Sequence, residues 1–321
     1  MEATTGEEGH RTSVPSKWAN PSTNTQIRAF RNPGVLCYRN TAILMLLHTP
    51  LLANWIEEVH PKRHTCGTTD MNLLCAFHHL VGFYWFGDLE KDTHEICMDR
   101  IRKKLLATTW SNFNIDEPQE IRGFMEAVFG QLITEAKINA KRHSELQQYF
   151  RIGLRTRLVC RYCETESSVS VRKLFLNASF PESPSAAGIT PSQSNGSAEP
   201  PSSTEHLDQL PEVLFVQVNH YGNQGQLTGK LDLKDTLTIP GSLHYPDSQE
   251  KQDVEYELYS VIFRGKDPLN NTLYFCAAKG PTGKWALVNN DFVVDELTLD
   301  KLLDMADDQQ PAYILAYRRL P

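Results

Sequence analysis

The sequence predicts an α+β protein, and three observations carry that expectation. Apolar residues recur at helical spacing from Asn40 to about residue 150. Segments rich in β-branched and aromatic residues dominate from Leu210 onward. A stretch with seven Ser and five Pro in 24 residues, Pro181 to Thr204, lies between the two textures. The 321 residues are 40% hydrophobic and 22% charged, an ordinary globular composition. At about 150 residues per domain, that length allows one large or two modest domains.

The elements follow in chain order. Residues 1–26 are polar, with Pro15 and Pro21, and are expected to form a disordered leader. Glu2, Glu7 and Glu8 lack the basic-then-apolar order of a signal peptide. Ala42, Ile43, Met45, Leu46 and Leu47, then Leu51, Leu52, Trp55 and Ile56, form a helical pattern with Pro50 as break or kink. His48, Pro50 and Asn54 make this stretch too polar to cross a membrane. Further helices are expected at Met71–Phe86, Asp99–Ala107 and Pro118–His143. Arg157–Val171 alternates and holds Cys160-x-x-Cys163. The Ser/Pro stretch is a loop, because it cannot bury enough apolar surface to order itself. Strands are expected at Val213–Val218, Tyr256–Phe263, Tyr274–Ala278, Trp285–Val288 and Ala312–Tyr317, with a short helix at Leu297–Met305.

The net charge is −7, from 32 basic and 39 acidic residues. That balance argues against a nucleic-acid protein and allows a basic protein partner. Seven cysteines give no even disulfide framework. Reduced thiols in the cytoplasm or nucleus are the expectation. One cysteine stands apart. Cys37 follows Asn32-Pro33-Gly34 and begins the apolar helix. A thiol at a helix N-terminus feels the positive end of the macrodipole, which favours the thiolate. Asn32 is placed to donate its side-chain amide to an oxyanion at the sulfur's target. Read alone, Cys37 is equally a small buried hydrophobe.

Asn32-x-Gly34-x-x-Cys37-Tyr38-x-Asn40 resembles the Cys box of the ubiquitin-specific proteases, papain-like deubiquitinases with a thumb–fingers–palm fold. The C-terminal half agrees. Leu210-Pro211-x-Val213-Leu214-Phe215-Val216 is similar to the strand after that family's fingers. Tyr256-x-Leu258-Tyr259-Ser260-Val261-Ile262, Tyr274, Gly283-Lys284-Trp285, Asn289 and Ala312-Tyr313-Ile314-Leu315-x-Tyr317 follow its His box in order. Gln119-x-x-x-x-Phe124 weakly resembles its Gln-Asp-Ala-x-Glu-Phe helix. The resemblance implies a helical thumb over 27–150, shortened fingers with the Ser/Pro loop over 151–209, and a β-rich palm over 210–321. It also implies ubiquitin, a ubiquitin-like protein or a scaffold protein as partner.

A papain-like mechanism needs a His as base and an Asp or Asn to orient it. Aligned on Tyr274 and Gly283-Lys284-Trp285, the family's Gly-His falls on Thr272 and Leu273. Its orienting residue falls on Asn290, with Asp291 beside it. Leucine has no titratable group. In the Gln-Asp-Ala-x-Glu-Phe helix, Glu120 replaces Asp and Gly123 replaces Glu. Leu44 stands where the family has a Gln after the Cys box. His48, His78 and His79 read as helix-face residues, and His220 lies at a strand end away from the nucleophile.

Cys160 and Cys163 have the spacing of half a zinc knuckle, but no second cysteine pair precedes Leu210. His206 is the nearest third ligand and His64-Thr65-Cys66 a remote alternative, so a metal-free remnant and no cofactor are expected. Three functions remain open: a binding protein on a deubiquitinase fold, an active thiol isopeptidase using Cys37, and a small zinc module around Cys160 and Cys163.

Overall fold

The computed structural model describes residues 14–18, 27–32, 34–60, 72–86, 91–110, 119–137, 139–159, 163, 165–179, 202–219, 221–222, 225–226, 233–246, 252–266, 270–289, 292–305 and 311–321. The N-terminal half is helical: α1 Cys37–Leu47, α2 Pro50–Val59, α3 Leu73–Phe86, α4 Lys91–Leu106, α5 Ile121–Ala136 and α6 Ala140–Phe150. Pro50 does not kink a long helix. It opens α2 at its first turn, where the missing N–H costs nothing. The pattern expected over 118–143 resolves into two helices because Asn139 caps α6. Its carboxamide oxygen accepts from the Lys141 and Arg142 amides at 3.1 and 3.3 Å. Glu135 of α5 likewise caps α3, accepting from the Leu73 and Leu74 amides at 2.9 Å each.

The disordered leader needs correction at Val14–Trp18. Val14 is fully buried, and the Trp18 ring meets Trp85 at 4.6 Å between centroids. Asn54 donates to the Pro15 and Lys17 carbonyls at 2.9 Å each. Two apolar side chains and a polar clamp suffice to dock a segment whose composition reads as disordered. His48, read as a helix-face residue, stands at the C-terminal cap of α1 and is buried.

The strands are β1 Ile152–Val159, β2 Glu166–Lys173, β3 Phe175–Ser179, β4 Ser202–Gln209, β5 Val213–Asn219, β6 Tyr221–Gly222, β7 Gly225–Gln226, β8 Thr236–Ile239, β9 Val254–Lys266, β10 Thr272–Lys279, β11 Trp285–Asn289, β12 Phe292–Leu297 and β13 Ala312–Arg319. Helix α7, Leu299–Met305, lies between the last two. β2, β1 and β4 form a three-stranded sheet, and β6 pairs with β7. The main sheet runs β12-β11-β10-β9-β13-β5-β3, with β8 pairing β9. β4 begins inside the stretch expected to be loop. It is held by antiparallel pairing to β1 rather than by its own apolar content.

At β5 the main sheet is buried on both faces, which explains the unbroken apolar run Val213-Leu214-Phe215-Val216. Val213, Phe215, Tyr274, Cys276 and Ala278 join the core shared with the helices. Their neighbours Leu214, Val216, Phe275 and Ala277 join a second core on the opposite face. The period-two alternation of strand side chains sorts them. The site forms where α1 lies across β10.

Candidate active site

Cys37 is the first residue of α1 and only 6% exposed. Leu36 precedes it as the cap residue and makes no side-chain capping bond. Capping of the preceding turn falls instead to Asn32, whose Oδ1 accepts from the Gly34 and Leu36 amides at 3.2 and 3.1 Å. With its oxygen so committed, the donor end of the Asn32 carboxamide is its nitrogen, the end an oxyanion requires.

Asn40 holds the chain that leads into this turn. Its Nδ2 donates to the Phe30 and Arg31 carbonyls at 3.3 and 3.0 Å. Its Oδ1 accepts from Nε and Nη2 of Arg39 at 3.1 and 2.9 Å. Arg39 is 4% exposed and reaches Asp99 at 2.9 Å. Burial lowers the Arg39 pKa from its ordinary value, and Asp99 opposes that shift. Asn40 appears in the sequence motif, but nothing there shows that it anchors the strand of chain before Cys37.

On the sheet side, the group that meets the thiol is main chain. Cys37 Sγ lies 3.8 Å from the Thr272 carbonyl oxygen. Thr41 Oγ1, one turn further along α1, donates to the Tyr274 carbonyl at 3.1 Å. These two contacts seat α1 on the start of β10. Leu273 sits between Thr272 and Tyr274, half-buried and packed on the core that contains Cys37. A carbonyl oxygen accepts from a thiol and cannot take up its proton to leave a thiolate, so Thr272 supplies no base. Asn290 and Asp291 lie outside the described residues. They follow Asn289, which ends β11 and pairs with Phe292 of β12.

His48, His60 and His78 are engaged elsewhere. His48 is buried and its pKa falls to about 4, because desolvation penalises the imidazolium. Its Nδ1 lies 3.1 Å from the Lys279 carbonyl and its Nε2 3.0 Å from the Tyr84 hydroxyl, which also bonds to the Arg28 carbonyl at 3.1 Å. His60 stacks on His78 at 3.9 Å between ring centroids, on the helical side. His220 lies outside the described residues.

Further along the seam between α5 and the sheet, groups that the sequence motifs name take up contacts that sequence reading did not foresee. Glu120 caps α5, accepting from the Arg122 and Gly123 amides at 3.1 and 2.9 Å, and also accepts from the Tyr313 hydroxyl at 2.8 Å. Arg122 is the unassigned position of the Gln119-to-Phe124 motif, and it reaches β3 and β5. Burial raises the Tyr313 pKa, and the neighbouring Glu120 carboxylate adds to the shift. Tyr274 is pushed up to about 12, chiefly by burial.

At the three-stranded sheet, Cys163 is exposed and Sγ lies 3.1 Å from Thr165 Oγ1. Cys160, His64 and Cys66 lie outside the described residues. His206 is opposite Arg155, while the Cys160–Cys163 turn follows Val159, which is opposite Ser202. Among the described residues no group of three or more His, Cys, Asp or Glu is arranged to hold a metal. Cys75, Cys97 and Cys276 are buried. Burial raises the Cys97 thiol pKa and pushes Cys276 up to about 12, so both are expected to stay protonated. Among the described residues, no helix is long and apolar enough to cross a membrane.

Known proteins with related sequence and shape agree with this architecture. The chain is 24% identical over 313 residues to mouse ubiquitin carboxyl-terminal hydrolase 17-like protein A, covering 89% of this chain. The match spans 56% of that relative, so it extends over little more than half of the longer protein. The SAGA Ubp8/Sgf11/Sus1/Sgf73 DUB module bound to ubiquitin aldehyde superposes with a TM-score of 0.71 at 15% identity, covering 94% of this chain and 71% of that one. The Ubp8-Sgf11-Sgf73-Sus1 SAGA DUB module gives 0.69 at 17% identity, covering 92% and 68%. These likenesses establish the papain-like fold, with a helical thumb, short fingers and a β-rich palm. The ubiquitin carboxyl-terminal hydrolase model matches residues 28–317. A thumb helix that begins at Cys37, laid across the palm strand that begins at Thr272, is thus the inherited core of a chain that belongs to the ubiquitin carboxyl-terminal hydrolase family.

Proposed function

We propose that this chain is a deubiquitinase-fold domain that binds ubiquitin, or a ubiquitin-like or scaffold protein, without hydrolysing its conjugates. Thumb, fingers and palm correspond to 27–150, 151–209 and 210–321, with Cys37 at the nucleophile position, Asn32 at the oxyanion position and Asn290 with Asp291 at the orienting position. One observation carries the reading. Cys37 Sγ lies 3.8 Å from the Thr272 carbonyl of the palm, and the next residue, where the family register expects the base, is Leu273. A carbonyl followed by an isobutyl group offers no proton acceptor of the required basicity and no acid for the leaving amine. Engagement of ubiquitin by the related DUB modules supports the choice of partner.

Incubation with a ubiquitin fluorogenic amide is expected to give no turnover above background. Turnover that Cys37→Ser abolishes would overturn the reading and favour an active thiol isopeptidase, for which the retained Cys37 and the oriented Asn32 speak. Metal analysis of the purified chain is expected to find no stoichiometric zinc, because Cys160 and Cys163 supply two of the four ligands a structural site needs. One zinc per chain, lost on mutation of either cysteine, would restore the zinc-module reading.

A further inference from the structure

The thumb–palm seam is closed by a row of contacts that starts at Cys37. Next to the Cys37–Thr272 contact, Thr41 Oγ1 donates to the Tyr274 carbonyl at 3.1 Å, and the Tyr274 ring lies 6.1 Å from that of Tyr313 between centroids. Beyond it, the Tyr313 hydroxyl donates to Glu120 at 2.8 Å and accepts from Gln217 Nε2 at 2.8 Å. At the far end, Nη1 of Arg122 donates to Gln217 Oε1 and, at 3.2 Å, to Asn177 Oδ1. Its guanidinium lies 5.3 Å from the centre of the Phe175 ring. The first turn of α5 is therefore fastened to three neighbouring palm strands, β13, β5 and β3. Arg264 stacks over the other side of Tyr313 at 5.2 Å and braces that ring.

We propose that Arg122 is a clasp that holds the thumb–palm groove shut, and that a peptide tail reaches the Cys37 region only after Arg122 lets go of Gln217 and Asn177. This inference rests on the ubiquitin-binding reading, since it regulates the same groove. Two observations motivate it: Cys37 is only 6% exposed, and the first turn of α5 is tied to β13, β5 and β3 by side-chain bonds that an entering tail would have to displace. Glu120 cannot serve as a simple latch, because it also caps α5. Arg122 can, since its side chain does nothing for the backbone of its own helix beyond an exposed pair with Glu126. A closed seam makes binding pay for opening, so only a fraction of molecules is competent at any moment.

The test is titration of the full chain with intact ubiquitin and with ubiquitin lacking its C-terminal tail. Arg122→Ala and Asn177→Ala are expected to tighten binding of intact ubiquitin by about threefold to tenfold, the range one or two net hydrogen bonds supply. Tail-less ubiquitin is expected to bind all three proteins alike. Unchanged or weaker binding of intact ubiquitin to Arg122→Ala, or equal gains for both ubiquitin forms, overturns the clasp. If no form binds ubiquitin, the ubiquitin-binding reading falls and amide hydrogen exchange decides on the clasp. Faster exchange in β3 and the first turn of α5 of Arg122→Ala supports it, and unchanged exchange there overturns it. Thermal melts of both variants separate these outcomes from global unfolding.

Discussion

Leu273→His combined with Thr272→Gly is expected to create Cys37-dependent hydrolysis of a ubiquitin fluorogenic amide, at least about a hundredfold above the parent chain. General acid–base catalysis typically contributes about 10²- to 10⁴-fold, and both the base for the thiol and the acid for the leaving amine would be gained together. Position 273 follows directly on the carbonyl that meets Cys37 Sγ at 3.8 Å, so the new imidazole starts within one residue of the sulfur. Glycine at 272 restores the backbone freedom the family keeps beside its His. The expected pH profile rises through the imidazole range near 6.5, because only the neutral ring accepts the proton. Adding Cys37→Ser should return the rate to background. No gain in a folded double variant would show that the family register at Leu273 is wrong.

The second large effect concerns stability. Asn40→Ala is expected to cost about 3 kcal/mol or more in urea unfolding. The carboxamide links the Phe30 and Arg31 carbonyls to the Arg39 guanidinium, and both Asn40 and Arg39 are buried, at 6% and 4% exposure. Truncation strands two donors of a buried cation and two backbone acceptors at once. Each such group costs about 1–3 kcal/mol when left unsatisfied, and more when charged. Asp99 still pairs with Arg39 in the variant, which limits the loss. Asn40→Asp retains the acceptor for Arg39 but loses both donations, so it should fall between the parent and Asn40→Ala. A change under about 1 kcal/mol for Asn40→Ala would mean that water replaces the lost bonds and that the loop before Cys37 is held by other contacts.

Much of the architecture was legible before any coordinates. Helix α2 announced itself because one face must meet the core at 3.6-residue spacing, and α3 because its run is apolar almost throughout. Strands β5, β9, β10, β11 and β13 showed through their aromatic and β-branched content. The elements that sequence reading missed are those whose order comes from neighbours. β3 is five residues long and pairs in parallel with β5, far along the chain. β4, Ser202–Gln209, is polar at its start and is a strand because β1 offers it a partner. β12 carries Phe292 on its exposed start and has no buried stripe to declare it. Val14–Trp18 looks like leader by composition, yet Trp18 finds Trp85.

The site divides the same way. Residue order alone placed Cys37 at a helix start, set Asn32 five residues before it, and aligned Leu273 with a missing base. These are properties of short motifs, and chemistry attaches to them one residue at a time. Sequence could not foresee that a Thr272 carbonyl would meet the sulfur, that Asn40 would hold the approach to the helix, or that Arg122 would tie α5 to β3 and β5. The partners of these groups are distant in the chain: Cys37 and Thr272 are 235 residues apart, Arg122 and Gln217 95, Glu120 and Tyr313 193. The sequence determined which chemical groups this protein possesses and which it lacks. The tertiary structure alone decided which groups face one another, because a hydrogen bond a few ångströms long depends on the packing of thumb against palm and not on distance along the chain.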